Sequence, residues 1–217
     1  MHKGLFITFE GPEGGGKSTH SALLGQYLQK MGFRVVRTRE PGGTIVAEAL
    51  RKLLLNPQNN IAPITELMLY EASRAQHVQE VLLPALKKGS VVICDRYTDA
   101  TVAYQGYGRG LDLDTIKELN AIATGNLVPD MTIVLDIPVE KGLIKARELN
   151  KDSFTAGDRL ERECISFHKK VRQGYLALAR KEPSRIKVIS TGKDIEETHK
   201  NVVAAVQKVL QRWKKKK

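Results

Sequence analysis

Residues Gly11 to Ser18 read Gly-Pro-Glu-Gly-Gly-Gly-Lys-Ser, a full G-x-x-x-x-G-K-S pattern placed directly after the apolar run Leu5-Phe6-Ile7-Thr8-Phe9. Those residue types at that spacing suit one task, which is to hold the phosphates of a nucleotide. Gly11, Gly14, Gly15 and Gly16, with Pro12 and Glu13 among them, let backbone N–H groups curl around di- or triphosphate oxygens. Lys17 then reaches the β- and γ-phosphates, and the Ser18 hydroxyl is placed to hold Mg²⁺. Thr19 continues the loop into a helix whose N-terminal end is electropositive toward the anion. A second carboxylate comes with Asp95-Arg96-Tyr97, at the end of Val91-Val92-Ile93-Cys94. A strand beside the loop would deliver Asp95 to the same Mg²⁺ through water.

The elements that must position these groups follow from the hydrophobic pattern. Short β-rich runs alternate with longer helical ones, which predicts an α/β fold with a parallel sheet covered by helices on both faces. Strands are expected at Leu5 to Glu10, Arg34 to Arg39, Val91 to Asp95, Thr132 to Asp136 and Ile186 to Ser190. Leu23, Leu24, Tyr27, Leu28 and Met31 recur at helical spacing after the loop, and Thr65 to Leu86 reads as one long helix. Asp194 is the expected cap of a last helix running to about Trp213, with Ile195, Val202, Val203, Val206, Val209 and Leu210 as its apolar stripe. The 217 residues fit one domain spanning 1–217, enough to bury roughly 70% of the unfolded chain's surface. Residues 148–157 are polar and small and lie between Lys145, Arg147, Arg159 and Arg162. They make a candidate lid at about 147–159 that would close over phosphates.

Composition narrows the function. Net charge is +11 with a pI near 9.6, which invites a nucleic-acid partner. Part of that excess is the terminal run Lys214 to Lys217, a solvated tail, and other cations fall where a nucleotide's phosphates need them, so nucleic acid is not expected as the main partner. Cys94 and Cys164 are expected to be reduced, in a cytoplasmic protein without a membrane span or leader. A regulatory GTPase is disfavoured, because Asn150-Lys151-Asp152-Ser153 has Ser where the guanine reader needs Asp and no Asp-x-x-Gly occurs. His20, His77 and His168 lack metal-like spacing, are read as surface or helix residues, and receive no role.

Five segments in order carry a resemblance to the bacterial thymidylate kinase family: Glu10 to Thr19, Arg39-Glu40-Pro41-Gly42-Gly43, Ser73-Arg74-Ala75-Gln76-His77, Asp95-Arg96-Tyr97, and Ala103-Tyr104-Gln105-Gly106 with Gly108-Arg109-Gly110. The resemblance implies ATP + dTMP giving ADP + dTDP in dTTP synthesis, a P-loop kinase fold with sheet order 2-3-1-4-5, and a homodimer. The acceptor would be a phosphate oxygen, largely ionised at pH 7. No general base is then required, and alignment with charge neutralisation carries the reaction.

The same resemblance implies that Glu13 lies near the acceptor's 3′-hydroxyl and that Arg39, Arg51 and Arg96 surround the acceptor phosphate, with Glu40 and Pro41 in the pocket wall. Tyr70 would stack on thymine and Arg74 donate to a ring carbonyl. Thr101 and Gln105 would hydrogen-bond the base, and Tyr104 would crowd a 2′-hydroxyl. Gly14 follows Glu13, so the phosphate loop holds no arginine. The charge at the transferring phosphoryl would come from the lid, with Arg159 the first candidate and Arg147 the second, and the adenine pocket is expected near Thr191-Gly192-Lys193. Ala100 departs from the family pattern, which usually has Ser there. The alternatives are a kinase for another nucleoside monophosphate and a nucleic-acid-binding P-loop ATPase.

Overall fold

Every residue of Leu5–Glu10 (β1) is buried, and Val91–Asp95 (β3) and Met131–Asp136 (β4) are buried over nearly their whole length. Such near-continuous apolar strands belong inside a parallel sheet covered on both faces. The computed structural model describes residues 3–149, 158–191 and 194–215, and in it β3 and β4 flank β1 in parallel register. Val35–Arg39 (β2) and Ile186–Ser190 (β5) form the edges. The order is β2-β3-β1-β4-β5, as the resemblance implied.

Each face of the sheet has its own core. On one, Ile7, Phe9 and Ile93 pack against Leu24 and Leu28 of Lys17–Lys30 (α1) and against Val202, Val206 and Leu210 of the last helix. On the other, Phe6, Val92 and Cys94 meet Val78, Leu82 and Tyr97. Fully burying one such aliphatic side chain is worth about 1.5–3 kcal/mol, so these two layers fix where the strand ends point.

The remaining helices are Ile45–Leu55 (α2), Pro63–His77 (α3), Leu83–Lys87 (α4), Thr98–Thr101 (α5), Leu113–Thr124 (α6), Val139–Leu149 (α7), Ile165–Lys181 (α8) and Ile195–Lys214 (α9). Asp194 caps α9 by accepting from Glu196 N–H at 3.0 Å, as expected. The long helix expected over Thr65 to Leu86 is interrupted. Between α3 and α4 lies a π-helical turn, Val78–Leu82, closed by Leu83 N–H to Val78 C=O. Pro84 explains it, because its ring clashes with the carbonyl four residues earlier and has no N–H to give back. A second π-helical stretch, Val102–Gly108, continues α5 and carries Tyr104 and Gln105.

Candidate active site

The carboxyl ends of β1 and β3 bring the two sequence motifs together. Lys17 is buried, and its Nζ donates to the carbonyls of Gly11 (3.1 Å) and Pro12 (2.8 Å). Burial, and then Arg96, lower its pKa. Ser18 Oγ donates to Asp95 Oδ2 at 2.6 Å. A hydroxyl and a carboxylate in contact offer the all-oxygen donor set that Mg²⁺ takes, so the residues fit the ion.

The phosphate loop is wedged as well as curled. A Cβ on Gly14, which has φ 68°, would lie 1.9 Å from the carbonyl of Gly142 on α7. A Cβ on Gly142 would lie 2.2 Å from the carbonyl of Glu13. Nothing in the local sequence of α7 marks Gly142 as part of the site.

Next to the loop, Glu13 Oε1 accepts from Arg96 Nη2 at 2.6 Å and from the Tyr104 hydroxyl at 2.7 Å. The Arg96 guanidinium also sits over the Tyr104 ring, 4.9 Å from its centroid. Burial alone would raise the Glu13 carboxyl. The charges of Arg96 and Lys17, with the Tyr104 hydrogen bond, outweigh it and bring the pKa down to about 2. Glu13 is therefore an anion that orients Arg96 and Tyr104.

A cavity of about 280 Å³ opens beyond this cluster. It is lined by Glu13, Arg39, Glu40, Pro41, Arg51, Tyr70, Arg74, Arg96, Thr101, Tyr104 and Gln105, together with Lys17, Ser18 and Asp95. The structure thus brings every residue expected on the acceptor side to one wall or another of a single pocket. Arg39 pairs with Glu48 at 3.0 Å, and Arg51 Nη1 donates to Pro41 C=O at 2.9 Å.

Arg74 is more committed than its expected role required. It is 2% exposed. Its Nε donates to Glu40 (2.8 Å), its Nη1 to Glu71 (2.6 Å), Thr101 (2.8 Å) and Asn120 (2.9 Å), and its Nη2 to Tyr97 C=O (3.0 Å). A guanidinium has five N–H donors, which leaves one Nη2 hydrogen for the pocket that Arg74 lines. Behind it, His77 bonds Glu40 through Nδ1 at 2.9 Å and Thr38 through Nε2 at 2.7 Å. His77 is fully buried, and His20 and His168 are buried too, so of the surface-or-helix alternatives it is the helix that holds for all three.

The lid arginines lie elsewhere. Arg159 Nε donates to Leu54 C=O at 2.9 Å, and its Nη2 pairs with the fully buried Glu66 at 2.5 Å, so Arg159 does not line the pocket. Arg147 is exposed on the last turn of α7 and does not line it either. Residues 150–157 of the expected lid, and Gly192 and Lys193 of the expected adenine pocket, lie outside the described residues. Sequence reasoning missed Glu66, which also accepts from Gln105 (2.7 Å) and pairs with Arg109 (3.1 Å). The available signal was spacing, because Glu66, Tyr70 and Arg74 recur every fourth residue on one helix face.

Comparison with known proteins gives one answer. The thymidylate kinase family profile matches residues 9–202. A thymidylate kinase of Geobacter sp. strain M21 is 51% identical over 212 residues, covering 96% of this chain and 93% of the relative. One of Gloeobacter violaceus is 48% identical over 206 residues, covering 95% and 96%. The crystal structure of thymidylate kinase from Ehrlichia chaffeensis superposes with a TM-score of 0.76 at 35% identity, covering 94% of this chain and 98% of that one. A complete phosphate-loop motif, the Ser18–Asp95 pair beside it, an arginine-lined pocket and relatives matching over more than nine-tenths of the chain lead to the same conclusion, that this chain belongs to the thymidylate kinase family.

Proposed function

We propose that the chain, acting as one P-loop nucleoside monophosphate kinase domain, transfers the γ-phosphoryl group of ATP to the phosphate of dTMP. The observation that carries this reading is the single pocket in which the Lys17 loop, the Ser18–Asp95 pair and the arginines Arg39, Arg51 and Arg96 meet Tyr70, Arg74, Thr101 and Gln105.

The loop from Gly11 to Thr19 holds the ATP phosphates, with Lys17 at the β- and γ-oxygens. When the triphosphate arrives, Lys17 exchanges its two loop carbonyls for phosphate oxygens, and the anion restores its lowered pKa. Ser18 and Asp95 would hold Mg²⁺, which would supply neutralisation of phosphate charge. The Arg96 guanidinium, aimed by Glu13 and Tyr104, takes the acceptor phosphate with Arg39 and Arg51. A planar fork suits a dianion better than an ammonium. The acceptor oxygen is already ionised, so alignment is what the protein adds. Tyr70 supplies an aromatic face for thymine, and Arg74 its remaining N–H. Tyr104, pinned to Glu13, stands where a 2′-hydroxyl would enter. Arg159 serves at the transferring phosphoryl only by leaving Glu66, whereas Arg147 leads directly into the lid.

A homodimer is the expected assembly. Ile45 (92% exposed), Leu53, Met68 and Ile122 (79%) expose apolar surface on α2, α3 and α6, which lie side by side. Sedimentation of the wild type against Ile122→Glu tests it, since a charge in that face should give monomers.

A coupled ADP-release assay with ATP and Mg²⁺ tests the activity against dTMP, dUMP, dCMP, AMP and no acceptor. Turnover should require dTMP and be weaker with dUMP. Acceptor-independent turnover would overturn the reading.

A further inference from the structure

Glu10 is fully buried at the end of β1, one residue before the phosphate loop, and the roles given above do not use it. A buried carboxyl group costs free energy unless its hydrogen bonds return it. Both of its partners are neutral, and both belong to the environment of Arg96. Glu10 Oε1 accepts from Tyr97 N–H at 2.7 Å, and Oε2 accepts from the Tyr175 hydroxyl at 2.8 Å. Tyr175, on α8, is buried, and its oxygen lies 3.4 Å from Arg96 Nη1.

Arg96 needs such support. It has φ 69°, one of two non-glycine residues with positive φ among the described residues. A left-handed conformation at a long side chain persists only where its surroundings hold it. Here Arg96 N–H donates to Phe9 C=O at 2.9 Å, the Arg96 carbonyl accepts from Cys94 Sγ at 3.1 Å, and the next N–H is the one that Glu10 takes. The same carboxyl, through Tyr175, also reaches the guanidinium end.

We propose that Glu10 is a positioning residue for phosphoryl transfer, fixing the Arg96 backbone through Tyr97 N–H and the Arg96 guanidinium through the Tyr175 hydroxyl. This rests on the reading that Arg96 meets the acceptor phosphate. The consequence is a division of labour around one arginine, with Glu13 and Tyr104 aiming it from the pocket side and Glu10 and Tyr175 from the core side.

The test is steady-state kinetics of Glu10→Ala, Glu10→Gln, Tyr175→Phe and Arg96→Ala, varying dTMP and ATP separately. Glu10→Ala and Tyr175→Phe should each lower kcat/KM for dTMP by about tenfold, the scale of one hydrogen bond that matters in the transition state, with KM for ATP little changed. Glutamine offers its oxygen to Tyr97 N–H and its N–H to the Tyr175 oxygen, so Glu10→Gln should recover most of the loss. If Glu10→Ala does not fold, Tyr175→Phe decides. Wild-type kcat/KM for dTMP in Tyr175→Phe overturns the inference, as does a Glu10→Gln that falls as far as a folded Glu10→Ala. If Arg96→Ala leaves dTMP kinetics unchanged, it is the role of Arg96 that fails. If Arg96→Ala is impaired and Tyr175→Phe is not, the inference about Glu10 fails alone.

Discussion

Replacing Arg74 with alanine should unfold the protein more readily before it says anything about base recognition. The guanidinium is 2% exposed and holds two buried carboxylates, Glu40 at 2.8 Å and Glu71 at 2.6 Å, along with Thr101, Asn120 and the Tyr97 carbonyl. Removing one partner of a buried pair costs about 3–5 kcal/mol, because the surviving charge stays out of water. For a chain of this length each kcal/mol is worth about 2–4 °C, so Tm should fall by roughly 6–20 °C. Burial raises the Glu71 carboxyl, and Arg74 is the main influence lowering it. Without Arg74, Glu71 should take up a proton, and the deficit relative to wild type should be larger at pH 8 than at pH 5. Urea melts of wild type and Arg74→Ala at the two pH values measure this. A stability loss below about 1 kcal/mol at both pH values would refute the view of Arg74 as a structural hub.

Two other perturbations probe different contacts. Gly142→Ala puts a methyl group 2.2 Å from the Glu13 carbonyl and must push the phosphate loop. It should lower kcat/KM for ATP by about 10–100-fold, the scale of a misplacement near 1 Å, and wild-type ATP kinetics would show that α7 does not shape the loop. In Glu10, burial and then Asp99 push the carboxyl up to about 8 from its ordinary 4.5. The folded protein then holds a proton that the unfolded chain releases. This group's contribution to stability is fully present below about pH 4.5 and is lost progressively as pH rises to about 8. Glu10→Gln cannot ionise, so its stability relative to wild type should improve steadily from pH 5 to 8, and parallel curves would contradict the shift.

The sheet was legible because burial and sequence agree there. β1, β3 and β4 are buried nearly end to end, and their apolar runs mark them to within a residue. The start of β2 is less sharp, since that edge strand is half-exposed and follows its two valines with Arg37, Thr38 and Arg39. Asp194 announced the last helix by its chemistry, whereas the π-helical turn before Pro84 depends on how one proline settles into an existing helix. The phosphate loop and the pocket arginines were legible through motif and resemblance. Of the supporting carboxyl groups, Glu13 and Glu40 were legible in the same way, but the roles of Glu66 and Glu10 were not. Glu66 looks like an ordinary helix-surface charge until Arg109, 43 residues away, is placed against it. Glu10 reads as the end of a strand, and its partner Tyr175 lies 165 residues further on. Gly142 has no local signature at all, because what forbids a side chain there is the backbone of Glu13. Interactions that hold a site from behind are long-range, and only the fold brings their members together.

The most direct test of the central claim is a competition. The enzyme is incubated with γ-labelled ATP, Mg²⁺ and an equimolar mixture of dTMP, dCMP, dGMP, AMP and UMP, and the labelled diphosphates are separated. The pocket of Tyr70, Arg74, Thr101, Tyr104 and Gln105 predicts label in dTDP above all other products. Label distributed evenly, or concentrated in a ribonucleoside diphosphate or in free phosphate, would contradict it.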